Sequence, residues 1–146
     1  AHGVHCGTVF LASPESFAHD YHKRRLVEAK AGDTVHTDLY AINWPPHAPV
    51  RVLKNSETEA VGDRLWGHRP DLAPRQAIAA EDGADLYRFS TASPLRVTTG
   101  NLEAMALYAG DGVARIDAIR PAGEIVTRMT AEAIATIRAD AASISD

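Results

Sequence analysis

The stretch His2-Gly3-Val4-His5-Cys6-Gly7-Thr8-Val9-Phe10-Leu11-Ala12-Ser13-Pro14-Glu15-Ser16 decides the reading of this chain. Its apolar run, broken by Gly7, suits a buried strand over residues 2–6 that turns at the glycine. A Cys6-Gly7-Thr8 turn at a strand end can aim backbone N–H groups and a hydroxyl at a phosphate. Gly-Thr after a strand is also a common plain turn, so the tripeptide by itself does not choose between the two. Ser13 is placed to cap a following helix, with Pro14 at its first position, Glu15 near its positive end, and Lys30 and Gly32 at the other. That pattern predicts a helix over 14–30.

Working outward, Asp33-Thr34-Val35-His36-Thr37-Asp38-Leu39-Tyr40 alternates apolar or β-branched residues with polar ones, and Val50-Arg51-Val52-Leu53 follows a proline-rich segment, Trp44 to Pro49. The two runs predict a hairpin with a long, stiff connection. Ser56 and Glu59 have the spacing of a capping box and predict a helix over 57–66. Residues 68–85 lack sustained periodicity and read as irregular, with a short helical segment near 74–80. A strand is expected over 86–90. Thr99 and Asn101 offer caps for a helix running through Tyr108 and ended by Gly110. Pro121 opens a closing helix on which Ile125, Met129, Ala133 and Ile137 form one apolar stripe, a face that requires something to pack against.

Composition narrows the function classes. The chain has 146 residues, enough for one domain, and 15 basic against 19 acidic residues give a net charge of −4 with no basic concentration. Such a balance argues against nucleic acid or an anionic membrane surface as a partner. One cysteine, Cys6, excludes an internal disulfide, and no apolar run approaches the roughly 20 residues of a membrane span. A reducing, cytoplasmic setting is the expectation.

Several residue types could carry chemistry. His19 and His22 lie three apart, a spacing compatible with a metal, and His2, His5 and Cys6 cluster in sequence. With a single thiol, and with His5 and Cys6 on opposite faces of a strand, the expectation is no metal site and a packed thiol in place of a nucleophile. Tyr40 and Trp44 suit either a pocket wall or a closed core. Arg51 and Lys54 suit a charged strand edge better than an anion site.

The first segment resembles the last barrel strand and phosphate loop of the nitronate monooxygenase family, whose usual form is a strand followed by Gly-Thr-x-Phe-Leu. Further matches follow in the family's order: residues 33–40, Asn43-Trp44-Pro45, Arg51 to Ser56, Leu107-Tyr108-Ala109-Gly110-Asp111-Gly112-Val113, and Arg120-Pro121-Ala122-Gly123-Glu124-Ile125-Val126. The resemblance implies an α/β fold: the carboxy-terminal part of a TIM-type (β/α)8 barrel, its last strand and helix, plus an inserted α+β lid with a hairpin. It divides the chain into barrel-derived segments, 1–32 and 107–146, and an inserted substrate region, 33–106. It implies FMN as cofactor, with His5, Cys6, Gly7 and Thr8 on the flavin phosphate loop and Tyr108 and Gly110 approaching the flavin from the cover. It also implies an oxidoreductase acting on alkyl nitronates with O2. A complete barrel takes about 250 residues, so the expectation is a part of an enzyme, inactive alone, with a chain carrying the missing strands as a candidate partner. The family's catalytic histidine lies in the middle of the barrel sequence, and no histidine here inherits that role. The alternatives are a flavin-dependent enoyl-ACP reductase, which shares the barrel and phosphate loop, and a non-enzymatic assembly module or inactive fragment. A metal-binding module stands third.

Overall fold

A computed structural model describes residues 4–144 of the chain. The expected hairpin forms as β1 (Thr34–Thr37) and β2 (Val50–Leu53), antiparallel with Thr34 opposite Leu53 and Thr37 opposite Val50. The alternation read from sequence is obeyed: Val35 and Thr37 are buried while His36 is exposed. The stiff connection turns through Asn43 and His47, both at positive φ.

A third segment lies on β2 where a helix was expected. Residues 102–104 make only a short 3-10 turn, and the chain then extends. The Leu53 N–H donates to the Leu107 carbonyl at 2.8 Å and the Ala109 N–H to the Arg51 carbonyl at 3.2 Å, with a bridge between Val52 and Tyr108. The reason is visible in the packing. Leu107 and Ala109 enter one core cluster with Ala12, Leu26, Leu53, Val113 and Ile116, whereas Ala106 and Tyr108 meet the other, built on Val35, Leu39, Tyr40 and Val52. Successive residues thus face opposite cores, a period of two that a helix cannot satisfy, and this overrides the helix propensity of Leu102-Glu103-Ala104-Met105-Ala106.

The amino-terminal segment also departs from expectation. Of the strand expected over 2–6, His2 lies outside the described residues, as does Gly3, and Val4 to Cys6 are not a strand because no ladder partner lies beside them among the described residues. Thr8–Leu11 form a single helical turn, α1. The helix expected over 14–30 is shortened to α2, Asp20–Glu28. Its cap is His19, whose Nδ1 accepts from the Tyr21 N–H, in place of Ser13. Residues before it are drawn off by another segment: the Arg96 N–H donates to the Phe17 carbonyl at 2.8 Å and the His19 N–H to the Pro94 carbonyl at 3.0 Å. Glu15, expected at the start of that helix, instead accepts from the Ala122 N–H at the start of α4, Ala122–Ile144.

The middle region carries α3 (Ser56–Ala60), after which the chain turns through Gly62 at φ 55° instead of continuing helical to residue 66. Its capping box uses Asn55 and Thr58, one residue earlier than the expected pair. A second sheet follows in the order β4-β3-β5, from Ala77–Glu81 (β3), Ala84–Tyr87 (β4) and Thr99–Gly100 (β5). Residues 77–80, expected to be helical, are therefore a strand. The signal was present: Asp82 and Gly83, at φ 48° and 82°, are the Asp-Gly pair that a two-residue hairpin turn requires. Phe89 at φ 64° lies within the strand expected over 86–90, which ends at Tyr87. At Gly100 a Cβ would meet Ile78 O and Ala79 Cα at 2.7 Å, so only glycine lets β5 reach β3.

Of the apolar stripe on α4, Ile125 is buried and Met129 half-buried, but Ala133 and Ile137 are exposed; the expected packing covers only the first two turns among the described residues. No helix among the described residues is long and apolar enough to cross a membrane.

Asn55 ties the middle region together. It is buried, its Oδ1 accepts from the Thr58 N–H, and its Nδ2 donates to the carbonyls of Glu103 and Met105 at 2.8 and 3.1 Å, with Tyr40 OH as a further partner. Asn55→Ala removes the cap of α3 and leaves the buried Met105 carbonyl and the half-buried Glu103 carbonyl without that donor. Urea unfolding is expected to show a loss of about 2–4 kcal/mol, and a loss below about 0.5 kcal/mol would remove Asn55 from this role.

Candidate functional site

The six residues singled out by sequence fall on two segments about a hundred positions apart, and the fold brings those segments together at one point. The Gly110 N–H donates to Thr8 Oγ1 at 2.8 Å. That bond occupies an oxygen lone pair and leaves the hydroxyl proton of Thr8 available for donation to a ligand. Gly7 caps α1 with nothing within 4 Å of where a Cβ would stand, so its backbone is approachable.

Thr8 opens onto a cleft of about 410 Å3 between the amino-terminal segment, the 3-10 turn Asp111–Arg115 and α4; His5, Cys6, Arg115, Arg120 and Arg128 also line it. The three arginines differ in availability. Arg120 is bound to Asp117 and to Glu124, the latter at 3.2 Å, and holds the Asp117 carboxyl below the usual carboxylate range through that hydrogen bond. Arg128 faces Glu132 at 3.8 Å. Arg115 has no carboxylate partner among the described residues, which leaves its guanidinium as the cation a bound anion would meet.

Tyr108 and Gly110 do not line that cleft. The Tyr108 ring packs on the second core cluster and its hydroxyl donates to the Thr91 carbonyl at 2.8 Å, while burial raises its phenol above the ordinary value. The contact between the 108–110 segment and Thr8 is made by the Gly110 backbone, and the Tyr108 side chain is committed elsewhere. Of the residues left open, Tyr40 is fully buried in the core, and Trp44 stands half-exposed on the connecting loop. Arg51 pairs with Asp111 at 2.8 Å.

The two helical histidines do not converge. His19 is the cap of α2, whereas His22 is fully buried, with Nε2 3.1 Å from the Tyr108 carbonyl and Nδ1 3.3 Å from Ser93 Oγ. Among the described residues no three His, Cys, Asp or Glu side chains gather as a metal site. Sequence reasoning missed His22 in this role. Its spacing from His19 was legible, but partners at 93 and 108 leave no local trace.

An α/β chain whose glycine-threonine turn meets a distant glycine segment beside an arginine-bearing cleft has the makings of a binding site for a phosphate-bearing cofactor. Comparison with known proteins defines the class. The family described as nitronate monooxygenase matches residues 1–132, and the chain belongs to that family of flavin-dependent oxidoreductases. Among solved structures, FabK from Thermotoga maritima is similar over 91% of this chain and 38% of its own, with a TM-score of 0.58 and 22% identity. A methionine-to-alanine mutant of that protein is similar over 91% of this chain and 34% of its own, with a TM-score of 0.50 and 24% identity. The chain thus spans about a third of the length of the structures it matches. Family and neighbours imply a TIM-barrel-type fold, and the described residues are α/β with few strands. No curated protein matches the chain.

Burial pushes the His22 pKa down to about 4. The unfolded chain, with an ordinary imidazole near 6.5, then binds more protons than the folded one between those values. The neutral buried ring contributes its stability fully above pH 6.5, and that contribution falls as pH drops toward 4, by on the order of 3 kcal/mol. Unfolding free energy measured from pH 7 to 4 is expected to lose this component in His22→Gln. An identical pH slope in that variant would show that His22 is not the titrating group.

Proposed function

We propose that this chain supplies the phosphate anchor and part of the substrate cover of an FMN-dependent oxidoreductase that oxidises alkyl nitronates with O2. The observation that carries the reading is the Gly110-to-Thr8 hydrogen bond, because it joins two of the segments that resemble the family and leaves a hydroxyl proton directed by a fixed oxygen. The residues present fit a phosphate-bearing group: a Thr8 hydroxyl with a free proton, an unobstructed Gly7 backbone and an unpaired Arg115 near the same cleft. His5 and Cys6 would contribute through their backbone, and Tyr108 through the placement of Gly110. FMN, when bound, supplies redox chemistry that no side chain of this segment provides. No residue here is assigned a catalytic role.

In this reading, segments 1–32 and 107–146 belong with the barrel and 33–106 form the lid. The first core cluster supports that division, since it packs Ala12 and Leu26 against Leu107, Ala109, Val113 and Ile116. Leu53 and Val52 of β2 tie the inserted region to both clusters, which would hold the lid at a fixed place beside the phosphate anchor. The alkyl nitronate and O2 are the proposed small-molecule substrates. A second reading, a flavin-dependent enoyl-ACP reductase, draws on the structural likeness to FabK.

The reading is tested by purifying the protein with whatever accompanies it, recording the visible spectrum and intact mass, and offering either an alkyl nitronate with O2 or an enoyl thioester with a nicotinamide donor. Bound flavin and nitronate turnover are expected. Flavin with only enoyl reduction would transfer the assignment to the second reading, and a colourless protein that takes up no FMN would remove both.

Two substitutions probe the anchor itself. Thr8→Val is expected to weaken FMN binding by about 1–3 kcal/mol through the lost hydrogen bond to a charged phosphate. Gly7→Ala adds a methyl into open space at an ordinary φ of −85°, so thermal unfolding should barely change while FMN retention falls. Unchanged FMN affinity in both variants would place the phosphate elsewhere.

A further inference from the structure

Among the described residues His22 is the one fully buried histidine, and it belongs to no part of the site described by sequence. The ring joins three segments: it sits on α2, its Nε2 meets the Tyr108 carbonyl at 3.1 Å, and its Nδ1 meets Ser93 Oγ at 3.3 Å. A carbonyl oxygen only accepts, so Nε2 carries the hydrogen and donates to it. A neutral ring then leaves Nδ1 as an acceptor, which the Ser93 hydroxyl satisfies. The tautomer is thus set by two partners of opposite kind.

The position of that carbonyl matters. Tyr108 lies two residues before Gly110, whose N–H reaches Thr8 Oγ1 at 2.8 Å. The same residue is held on its other sides by the bridge to Val52 and by its own hydroxyl on Thr91 O. His22 closes the frame from the α2 side, where Leu26 of the same helix packs with Leu107 and Ala109 in the first cluster.

We propose that His22 is a positioning residue for the flavin anchor, holding the Tyr108 carbonyl so that the Gly110 N–H is aimed at Thr8 and the Thr8 hydroxyl proton is turned toward the phosphate. The role presupposes FMN binding at Thr8, but its mechanical half, from His22 to Gly110, is open to test without flavin.

The experiment measures FMN dissociation constants and Gly110 amide exchange in parallel, in the protein as purified and in three variants. His22→Leu removes both ring bonds. It is expected to weaken FMN binding roughly tenfold and to speed Gly110 exchange by a similar factor, since one hydrogen bond to the strand segment is lost. His22→Gln keeps a donor near the Nε2 position and is expected to restore most of both quantities. Ser93→Ala, a mild change at a half-buried serine, is expected to move both in the direction of His22→Leu by a smaller factor and serves where the leucine variant does not fold.

Gly110 exchange that stays unchanged in Ser93→Ala and His22→Leu would overturn the proposal. So would a His22→Gln variant as impaired as His22→Leu. Failure of the parent protein to bind FMN would instead overturn the flavin reading, and Gly110 exchange would still decide whether His22 positions that backbone.

Discussion

The antiparallel seating of residues 107–109 on β2 is the contact on which the rest of the molecule depends. Two backbone hydrogen bonds and one bridge hold it, and its side chains alternate between the two hydrophobic clusters. Because the strand-like segment has one cluster on each face, neither core closes without it. Each cluster buries apolar side chains from several distant segments, and that area removed from water is the larger favourable contribution, with the hydrogen bonds setting register. Just beyond this seating, the Gly110 N–H donates to Thr8 Oγ1.

Around that seam the polar groups are arranged so that buried ones have partners. Asn55 serves the carbonyls of Glu103 and Met105 just before the seam, and His22 serves Tyr108 within it. No buried side-chain nitrogen or oxygen among the described residues is without a hydrogen-bond partner. Side-chain donors therefore hold the backbone just before the seam and within it, which is what a site that relies on backbone N–H placement requires. The half-exposed end of α4 presents the opposite case. Beyond Met129 its apolar residues face solvent among the described residues, so its contribution to the fold is made in its first two turns.

Local chemistry was legible where a residue acts through its neighbours in sequence. The β1–β2 hairpin follows from alternation, and the closing helix from Pro121 and its spacing. Boundaries failed where a distant segment competed. Residues 14–18 would continue a helix by propensity, but Pro94 to Arg96 take their backbone groups. Residues 77–80 extend because the Asp82-Gly83 pair beside them makes a hairpin turn, a local signal that outweighs their helical propensity.

The sequence by itself determined the family and the two-fold spacing of β1, because these are properties of neighbouring residues and of covalent order. The tertiary structure alone decided that residues 105–109 extend, that Glu15 accepts from the start of α4, and that His22 reaches Tyr108. Those outcomes turn on which groups meet across tens of residues, and a buried carbonyl or apolar face takes whichever partner the finished packing brings to it.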